Sequence, residues 1–432
     1  MNSYQAALDY LYNQLPMFQR TGPAAYKHSL ENTLRLDAMY DHPHRRYRTV
    51  HVAGTNGKGS VSHMMASVLQ SAGYRTGLYT SPHLKDFRER IRINGEMVPA
   101  RFVEEWVSGF IQKNRDTGIE PSFFELTMIM AFEYFALEEV DVAVIEVGLG
   151  GRLDSTNIIT PELSIITNIS YDHMSLLGET LLLIAGEKAG IIKPGVPVVV
   201  SERQTEVEEV FIGKASEMEA PLFFAGMEYQ SETGLTDLDG NQVFQFRSAE
   251  ELVYKDLKVD LPGIYQKLNI PSVLKGVDIL REEGWEIPER AVYDGLSHVR
   301  TQTGLQGRWQ VLGANPRIVC DTGHNEEGIR QVTQQISQTP YKNLHIVFGT
   351  VEDKDPAKVL ALLPKDATYY FCQADIPRAL NVSTLQMKAG EAGLQGQTYP
   401  SVKEAFEAAR QAAGPHDFIF IGGSTFVVAE IL

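Results

Sequence analysis

A lysine stands inside a glycine-rich turn in the run Gly54-Thr55-Asn56-Gly57-Lys58-Gly59-Ser60, between the short apolar stretch Arg48–Ala53 and a helix-like pattern over Val61–Ala72. Glycines let successive backbone N–H groups turn toward one anion. The positive end of the helix adds to them, and an ammonium supplies a point charge for the outer phosphates. The turn therefore predicts binding of a nucleoside triphosphate. Its spacing departs from G-x-x-x-x-G-K-[ST]: Val52 stands where the first glycine would be and Gly59 where the hydroxyl would be. A hydroxyl for magnesium must then come from Ser60 or from elsewhere.

Polar residues at the carboxyl ends of strands carry the most weight in an open α/β sheet, because ligands bind there. Tyr79-Thr80-Ser81-Pro82-His83 ends one strand in a hydroxyl, and Glu146 puts a carboxylate inside the apolar run Val142–Val147. A buried charge needs a partner. Magnesium shared with Ser81 and a phosphate would supply one, and so would an ion pair with Arg152. Asp172-His173 ends the next strand, where a histidine either caps and packs or meets a metal or substrate. Lys188 lies near the end of a helix closed by Gly190 and Pro194, a place where a cation also complements the helix dipole. In the second half, Asp321 follows the strand Arg317–Cys320 and leads into Thr322-Gly323-His324-Asn325. Ser424 follows the last strand and two glycines, and Arg308 offers a guanidinium suited to phosphate.

The elements that must position these groups form two series. Apolar runs at Arg48–Ala53, Thr76–Thr80, Val140–Val147, Leu163–Ile169 and Val196–Val200 alternate with helical patterns, as βαβ units do. From about Glu219 to Leu261 short polar strands with turn signals such as Asp239-Gly240-Asn241 predict an antiparallel excursion. Helical patterns resume over Asn269–Glu283 and Ile287–Ser297, and a second βαβ series runs through Arg317–Cys320, Asn343–Phe348, Thr368–Cys372 and Asp417–Ile421. The expected fold class is α/β: a mostly parallel sheet carrying the phosphate loop, with a small antiparallel excursion, and a second Rossmann-like α/β domain. The expected boundaries are 1–297, a linker at 298–307 that lacks apolar periodicity, and 308–432.

The chain has 432 residues, 43% hydrophobic and 22% charged, with a net charge of −16. That charge argues against a nucleic-acid groove or an anionic membrane surface. Cys320 and Cys372 lie in apolar runs without metal-ligand spacing, which fits buried thiols in a reducing compartment. No leader pattern and no membrane-length apolar run is visible, so a cytoplasmic location is the expectation; separately, a monomer acting on small molecules is expected.

Taken in order, the segments resemble the folylpolyglutamate synthase/dihydrofolate synthase family of the Mur ligase superfamily. The resemblance rests on Gly54–Ser60, Tyr79-Thr80-Ser81-Pro82-His83-Leu84, Phe124-Glu125, the Glu146–Asn157 run, Asp172-His173, Glu187–Lys193, Gln266–Asn269, Gly307-Arg308, Asp321–Asn325 and Asp353-Lys354-Asp355. It implies an ATP-dependent amide ligase that joins glutamate to dihydropteroate or to folates through an acyl phosphate, with domain closure completing the site. By the same likeness Ser81 and Glu146 would hold one Mg2+, and His173 with a carbamylated Lys188 a second. Lys58, Lys188 and His173 would serve catalysis. Gly54, Thr55, Asn56, Gly57, Lys58, Gly59, Ser60, Asn269, Arg308 and Asp321 would contact ATP, Phe124 and Asp154 the pterin, and His324 and Ser424 the glutamate. Where family members often carry Pro before Gly-Arg and Asp-Gly-Ala-His-Asn-Pro at the second turn, this chain has Gln306, Thr322, Gly323 and Glu326. A cell-wall ligase would usually carry a further domain before the loop. A poly-γ-glutamate or cyanophycin-type polymerase would share the chemistry, and a nucleotide switch would lack ligase turnover.

Overall fold

The computed structural model describes residues 3–17, 22, 29–237, 240–352 and 356–432. Asp239 of the expected turn and the stretch Asp353-Lys354-Asp355 lie outside the described residues. The chain divides into two units, Met1–Asp260 with Gln266–Leu305, and Leu261–Tyr265 with Gln306–Leu432.

An eight-stranded sheet organises the first unit. Its strands are β1 (Arg48–Ala53), β2 (Thr76–Tyr79), β3 (Ile91–Ile93), β4 (Glu96–Met97), β5 (Val142–Glu146), β6 (Leu163–Ile166), β7 (Val198–Val200) and β8 (Leu222–Phe224), in the order β4-β3-β2-β5-β1-β6-β7-β8. Every pair from β2 to β8 is parallel, and the β3–β4 edge is antiparallel. The inner strands are Val- and Ile-rich without alternation because both faces are covered. From β1 the chain crosses to β2 on one side, and from β5 it crosses to β6 on the other. The loop after β1 thus opens where the winding reverses. Register aligns the strand ends: Val52 lies opposite Glu146, Ala53 opposite Ile166 and Tyr79 opposite Ile145. Gly54, Ser81, Gly148 and Thr167 therefore emerge along one edge.

Helix α1 (Lys58–Ser71) runs back behind this sheet and is buried on most of its circumference. Helix α2 (Phe123–Leu137) is apolar almost all round, and it starts with a capping box in which Ser122 and Glu125 satisfy each other's backbone N–H groups. Glu125 is thereby explained as the brace that fixes where Phe124 enters the helix. Helix α3 (Leu181–Ala189) follows β6, and α4 (Gln266–Glu282) and α5 (Glu289–Ser297) cover α1. The antiparallel excursion is a separate sheet of β9 (Gln230–Thr236), β10 (Gln242–Ser248) and β11 (Glu251–Val259).

The expected linker is corrected in part. Within 298–307, residues Val299–Thr303 form helix α6 and belong to the first unit, which ends at Leu305. Polar pairing holds this segment where apolar periodicity is lacking. Thr303 is fully buried and its hydroxyl lies 2.7 Å from His63 Nδ1, while Gln302 meets Ser67 and Ser71.

The second unit carries β12 (Gln310–Ala314), β13 (Arg317–Cys320), β14 (Leu344–Phe348), β15 (Thr368–Cys372), β16 (Gly396–Tyr399) and β17 (Phe418–Gly422), in the order β12-β13-β17-β14-β15-β16. All neighbours are parallel except β12 on β13. Cys320 lies opposite Ile421, so Asp321 and the Gly422-Gly423-Ser424 turn leave the sheet side by side.

Helices α1 and α5 touch backbone to backbone. A Cβ on Gly295 would lie 2.6 Å from Val68 Cα, and the Gly295 carbonyl accepts the Ser67 hydroxyl at 2.7 Å. Gly295→Ala must push the helices apart, an overpacking cost of about 1–3 kcal/mol. The melting temperature of the first unit should fall by several degrees, at about 2–4 °C per kcal/mol. Calorimetry that found no drop would contradict the close approach.

Candidate functional site

The glycine-rich loop after β1 is held shut from behind by its neighbours. Gly54 has φ +142° and a Cβ there would lie 1.8 Å from Thr167 Oγ1; Gly57 has φ +89° and its Cβ would lie 2.2 Å from Asn269 Oδ1. Only glycine fits either place. Thr55 N donates to the Asn168 carbonyl and Asn56 N to Asn168 Oδ1, both at 2.8 Å, while Thr167 Oγ1 donates to the Asn56 carbonyl at 2.5 Å. Ser170 N completes the lacing on Thr55 Oγ1 at 3.1 Å. The three residues after β6 that make these bonds were not legible as site residues, because nothing in Thr167-Asn168-Ile169-Ser170 marks them until the register sets β6 beside β1. Helix α1 starts at Lys58 with no side-chain cap, and uncapped first-turn N–H groups are the kind that can meet an anion.

Two lysines converge on this loop. Lys58 Nζ donates to the carbonyls of Gly54 and Thr55 at 3.1 Å each, and Lys188 Nζ, from the end of α3, donates to the same Gly54 carbonyl at 2.7 Å. Lys188 is buried, and burial together with the nearby Lys58 charge brings its pKa down to about 7, against the pull of Asp172, Asp154 and Glu187. Residues spread from 54 to 188 are thus brought together. The helix-dipole reading of Lys188 does not describe a side chain turned into the loop.

Glu146 is buried at the end of β5, and its Oε2 accepts the Ser81 N–H at 2.9 Å. Arg152, the alternative partner, pairs with Glu187 at 2.7 Å. Ser60 is nearly inaccessible and its hydroxyl accepts Gln266 Nε2 at 3.2 Å, with Gln266 in turn bonded to Asn269 Nδ2 at 2.8 Å. Ser81, partly exposed beside Glu146, is therefore the better-placed hydroxyl for a hard cation. His173 begins a short helix in the left-handed region at φ 49°, with its Nε2 3.9 Å from Asp172 Oδ1. Among the described residues no three His, Cys, Asp or Glu side chains gather as a metal site. In the expected ligand set Glu146 and His173 are joined by Ser81 and Lys188, which are not of these types.

Phe124 is the partly exposed ring at the start of α2. It packs 6.0 Å from Tyr79 and directly over Gly148, where a Cβ would come within 2.4 Å of the ring. Asp154 is buried, and its oxygens are engaged by the loop itself: Oδ2 accepts Leu149 N at 2.8 Å, while Oδ1 accepts Thr156 N at 3.0 Å and Thr156 Oγ1 at 2.5 Å. Burial raises its pKa against these bonds. The geometry makes Asp154 first of all the brace of the Gly148–Leu149 loop.

In the second unit Asp321 is the hub. Burial raises its pKa, opposed by three short bonds: Tyr265 Oη at 2.6 Å and Trp309 N at 2.7 Å to Oδ2, and Gly323 N at 2.7 Å to Oδ1. Arg308 reaches the Thr322 hydroxyl, which itself donates to the Gly307 carbonyl at 3.2 Å. Thr322, one of the departures noted above, thus braces the guanidinium. His324 Nδ1 lies 3.0 Å from the Thr322 carbonyl, and Ser424 caps the last helix through Phe426 N at 3.2 Å. Tyr265 was missed, since its signal is only a tyrosine preceding Gln266.

Residues 52–274 match the family described as Mur ligase middle domain, and residues 307–425 the Mur ligase glutamate ligase domain. A Bacillus subtilis protein named dihydrofolate synthase/folylpolyglutamate synthase is 32% identical over 99% of this chain and 98% of its own length. The chain belongs to the folylpolyglutamate synthase/dihydrofolate synthase family. A Haloferax volcanii protein named probable bifunctional folylpolyglutamate synthase/dihydropteroate synthase is also 32% identical, and this chain spans 50% of it. Among solved structures, E. coli FolC in complex with DHPP and ADP superposes with TM-score 0.85 at 29% identity, covering 100% of this chain and 97% of that one. A Yersinia pestis bifunctional synthase complexed with AMPPNP and Mn ion gives TM-score 0.82 at 26% identity, over 100% and 97%. Among the described residues no helix is long and apolar enough to cross a membrane.

Lys188 sets a pH dependence in the ligand-free synthase. The unfolded chain holds this proton up to the ordinary 10.5, whereas the folded chain sheds it from about 7. The unfolded state binds more protons across that window, so stability rises with pH there. Melting temperatures taken between pH 7 and pH 9 should climb through this contribution, and Lys188→Met should flatten the profile. An unchanged slope in the variant would show that the lysine is not the group responsible.

Proposed function

We propose that this synthase joins L-glutamate to a pterin acid, to dihydropteroate, to the γ-carboxylate of a folate, or to both, with cleavage of ATP to ADP and phosphate. A carboxylate is a poor acyl donor. Transfer of the γ-phosphoryl group gives an acyl phosphate and ADP; the glutamate amine then attacks the acyl carbon, loses its proton, and phosphate leaves with the bonding electrons. Such a transfer depends on positioning and on answering the charge that moves, more than on covalent help from the protein.

The observation that carries this reading is the meeting of Lys58 and Lys188 on the Gly54 carbonyl. Nucleotide binding alone uses Lys58. A second lysine, buried and with its pKa down at about 7, has no part in a plain nucleotide switch but suits a ligase in which a neutral amine takes up carbon dioxide as a carbamate. Lys58 and the first-turn N–H groups of Gly59 and Ser60 hold the outer phosphates, with Thr55, Asn56 and Asn269 shaping the loop. Arg308 and Asp321 are the second unit's nucleotide contacts, and His324 and Ser424 its glutamate contacts. Ser81 and Glu146 fit Mg2+, since a backbone bond already holds the buried carboxylate beside the hydroxyl; His173 and carbamylated Lys188 would hold a second ion. When bound, these cations neutralise phosphate oxygens and align them for transfer. Phe124 offers its partly open face for stacking on the pterin. The loop that Asp154 secures forms the wall beside it. A monomer in the cytoplasm is the setting this reading expects.

ADP release should be stimulated by dihydropteroate or tetrahydrofolate together with glutamate. Side-by-side assays with the two acceptors separate the synthase activities, and absence of stimulation by either would refute the substrate assignment. Lys188→Ala should abolish turnover, with partial recovery when a short carboxylic acid is added to the buffer. Full activity of that variant would remove Lys188 from the machinery.

A further inference from the structure

Behind the acceptor wall a histidine is buried that nothing above uses. His51 sits in the middle of β1, wholly inaccessible, opposite Ile145 of β5 and Ser164 of β6. Its Nε2 lies 2.9 Å from Thr156 Oγ1, which is 2.5 Å from Asp154 Oδ1. Its Nδ1 is buried with no hydrogen-bond partner among the described residues.

These contacts fix the direction of the chain. The Thr156 hydroxyl has one proton and gives it to the Asp154 carboxylate, so its oxygen must accept from His51, which makes Nε2 the protonated nitrogen. Burial, with the Lys193 charge nearby, takes the His51 pKa down to about 3, so the ring is neutral at physiological pH. The other nitrogen is then an acceptor with no donor, an arrangement that buried polar groups rarely tolerate. A valine like Val50 or Val52 on the same strand would leave no such orphan. The sequence keeps an imidazole at this place for the one bond it makes.

That bond ends at the acceptor wall. Asp154 holds Leu149 N at 2.8 Å and also the Gly148 N–H, and Gly148 lies against the Phe124 ring. We propose that His51 is a positioning residue for the acceptor acid, acting through Thr156 and Asp154 to hold the Gly148–Leu149 loop at the spacing from Phe124 that the flat ring system of the acceptor requires. The inference rests on the assignment of a pterin acid as acceptor. It links the strand that carries the phosphate loop to the loop that receives the second substrate. Because His51 touches no substrate, its loss should raise KM for the acceptor while leaving KM for ATP alone.

The test is steady-state ADP release by the full-length synthase, with the preferred pterin acid varied at saturating ATP and glutamate. His51→Leu should raise acceptor KM about tenfold with KM for ATP within about twofold of the wild type. His51→Gln, whose side-chain amide can donate from nearly the position of Nε2, should recover most of the loss. Thr156→Val should reproduce the defect and Thr156→Ser should not. Because the residues act as one chain, the His51→Leu/Thr156→Val double variant should be no worse than either single change. Acceptor KM within about twofold of the wild type in both single variants would overturn the inference, as would a parallel rise in KM for ATP. Thr156→Val serves alone if His51→Leu does not fold. A wild type that no pterin acid stimulates would instead sink the acceptor assignment, and this inference with it.

Discussion

Two lysine amino groups share one carbonyl oxygen at the bottom of the glycine-rich loop, and the residues around the loop are arranged about that crowding. Like charges a few ångströms apart in a buried setting repel strongly, and the cheapest relief is for one of them to give up its proton. Lys188 is the one that does so, being the more deeply buried, whereas Lys58 lies partly open at the loop. An anion arriving at the loop answers the charge that stays. The loop can wait in this state only because it cannot relax. Thr167 pins it at Gly54, Asn269 at Gly57 and Asn168 at Asn56.

The second unit solves the opposite problem. Asp321 is a buried carboxylate with donors on both oxygens, from Tyr265, Trp309 and Gly323. A carboxylate so fully answered does not seek a cation. It fixes the turn from which Thr322 and His324 project, and Thr322 holds Arg308. The departure at Thr322 therefore keeps the guanidinium in place by a hydroxyl contact.

Much of this was legible in the sequence because parallel strands buried on both faces announce themselves as unbroken β-branched runs. β1, β5, β6 and β14 lie within a residue or a few of where Val- and Ile-rich stretches put them. β12 and β16 did not, since Gln310–Ala314 and Gly396–Tyr399 are short edge strands with polar or half-exposed residues. Helix α6 reads as linker because it is short and buries one valine, Val299, beside the polar Thr303, too little for an apolar period to show. Among site residues, Lys58 and Glu146 were visible through type and position. Thr167, Asn168, Tyr265 and His51 were not, because each matters through a side-chain hydrogen bond to a residue 56 to 112 positions away, and single-sequence patterns carry no pairing register.

The loop's unusual spacing has a physical consequence of its own. In the common pattern the residue after lysine supplies the hydroxyl that meets the cation; here that residue is Gly59, and the next hydroxyl, Ser60, is turned into the helix pair and spent on Gln266. On the proposed reading the hydroxyl comes instead from a neighbouring strand. β2 is separated from β1 by β5 alone, and Ser81 follows its end with its own N–H on the Glu146 carboxylate. That bond holds the backbone of Ser81 beside the only carboxylate carried inside β5. On that reading the serine after β2 and the buried glutamate at the end of β5 act together, and the backbone bond between them is what sets their spacing.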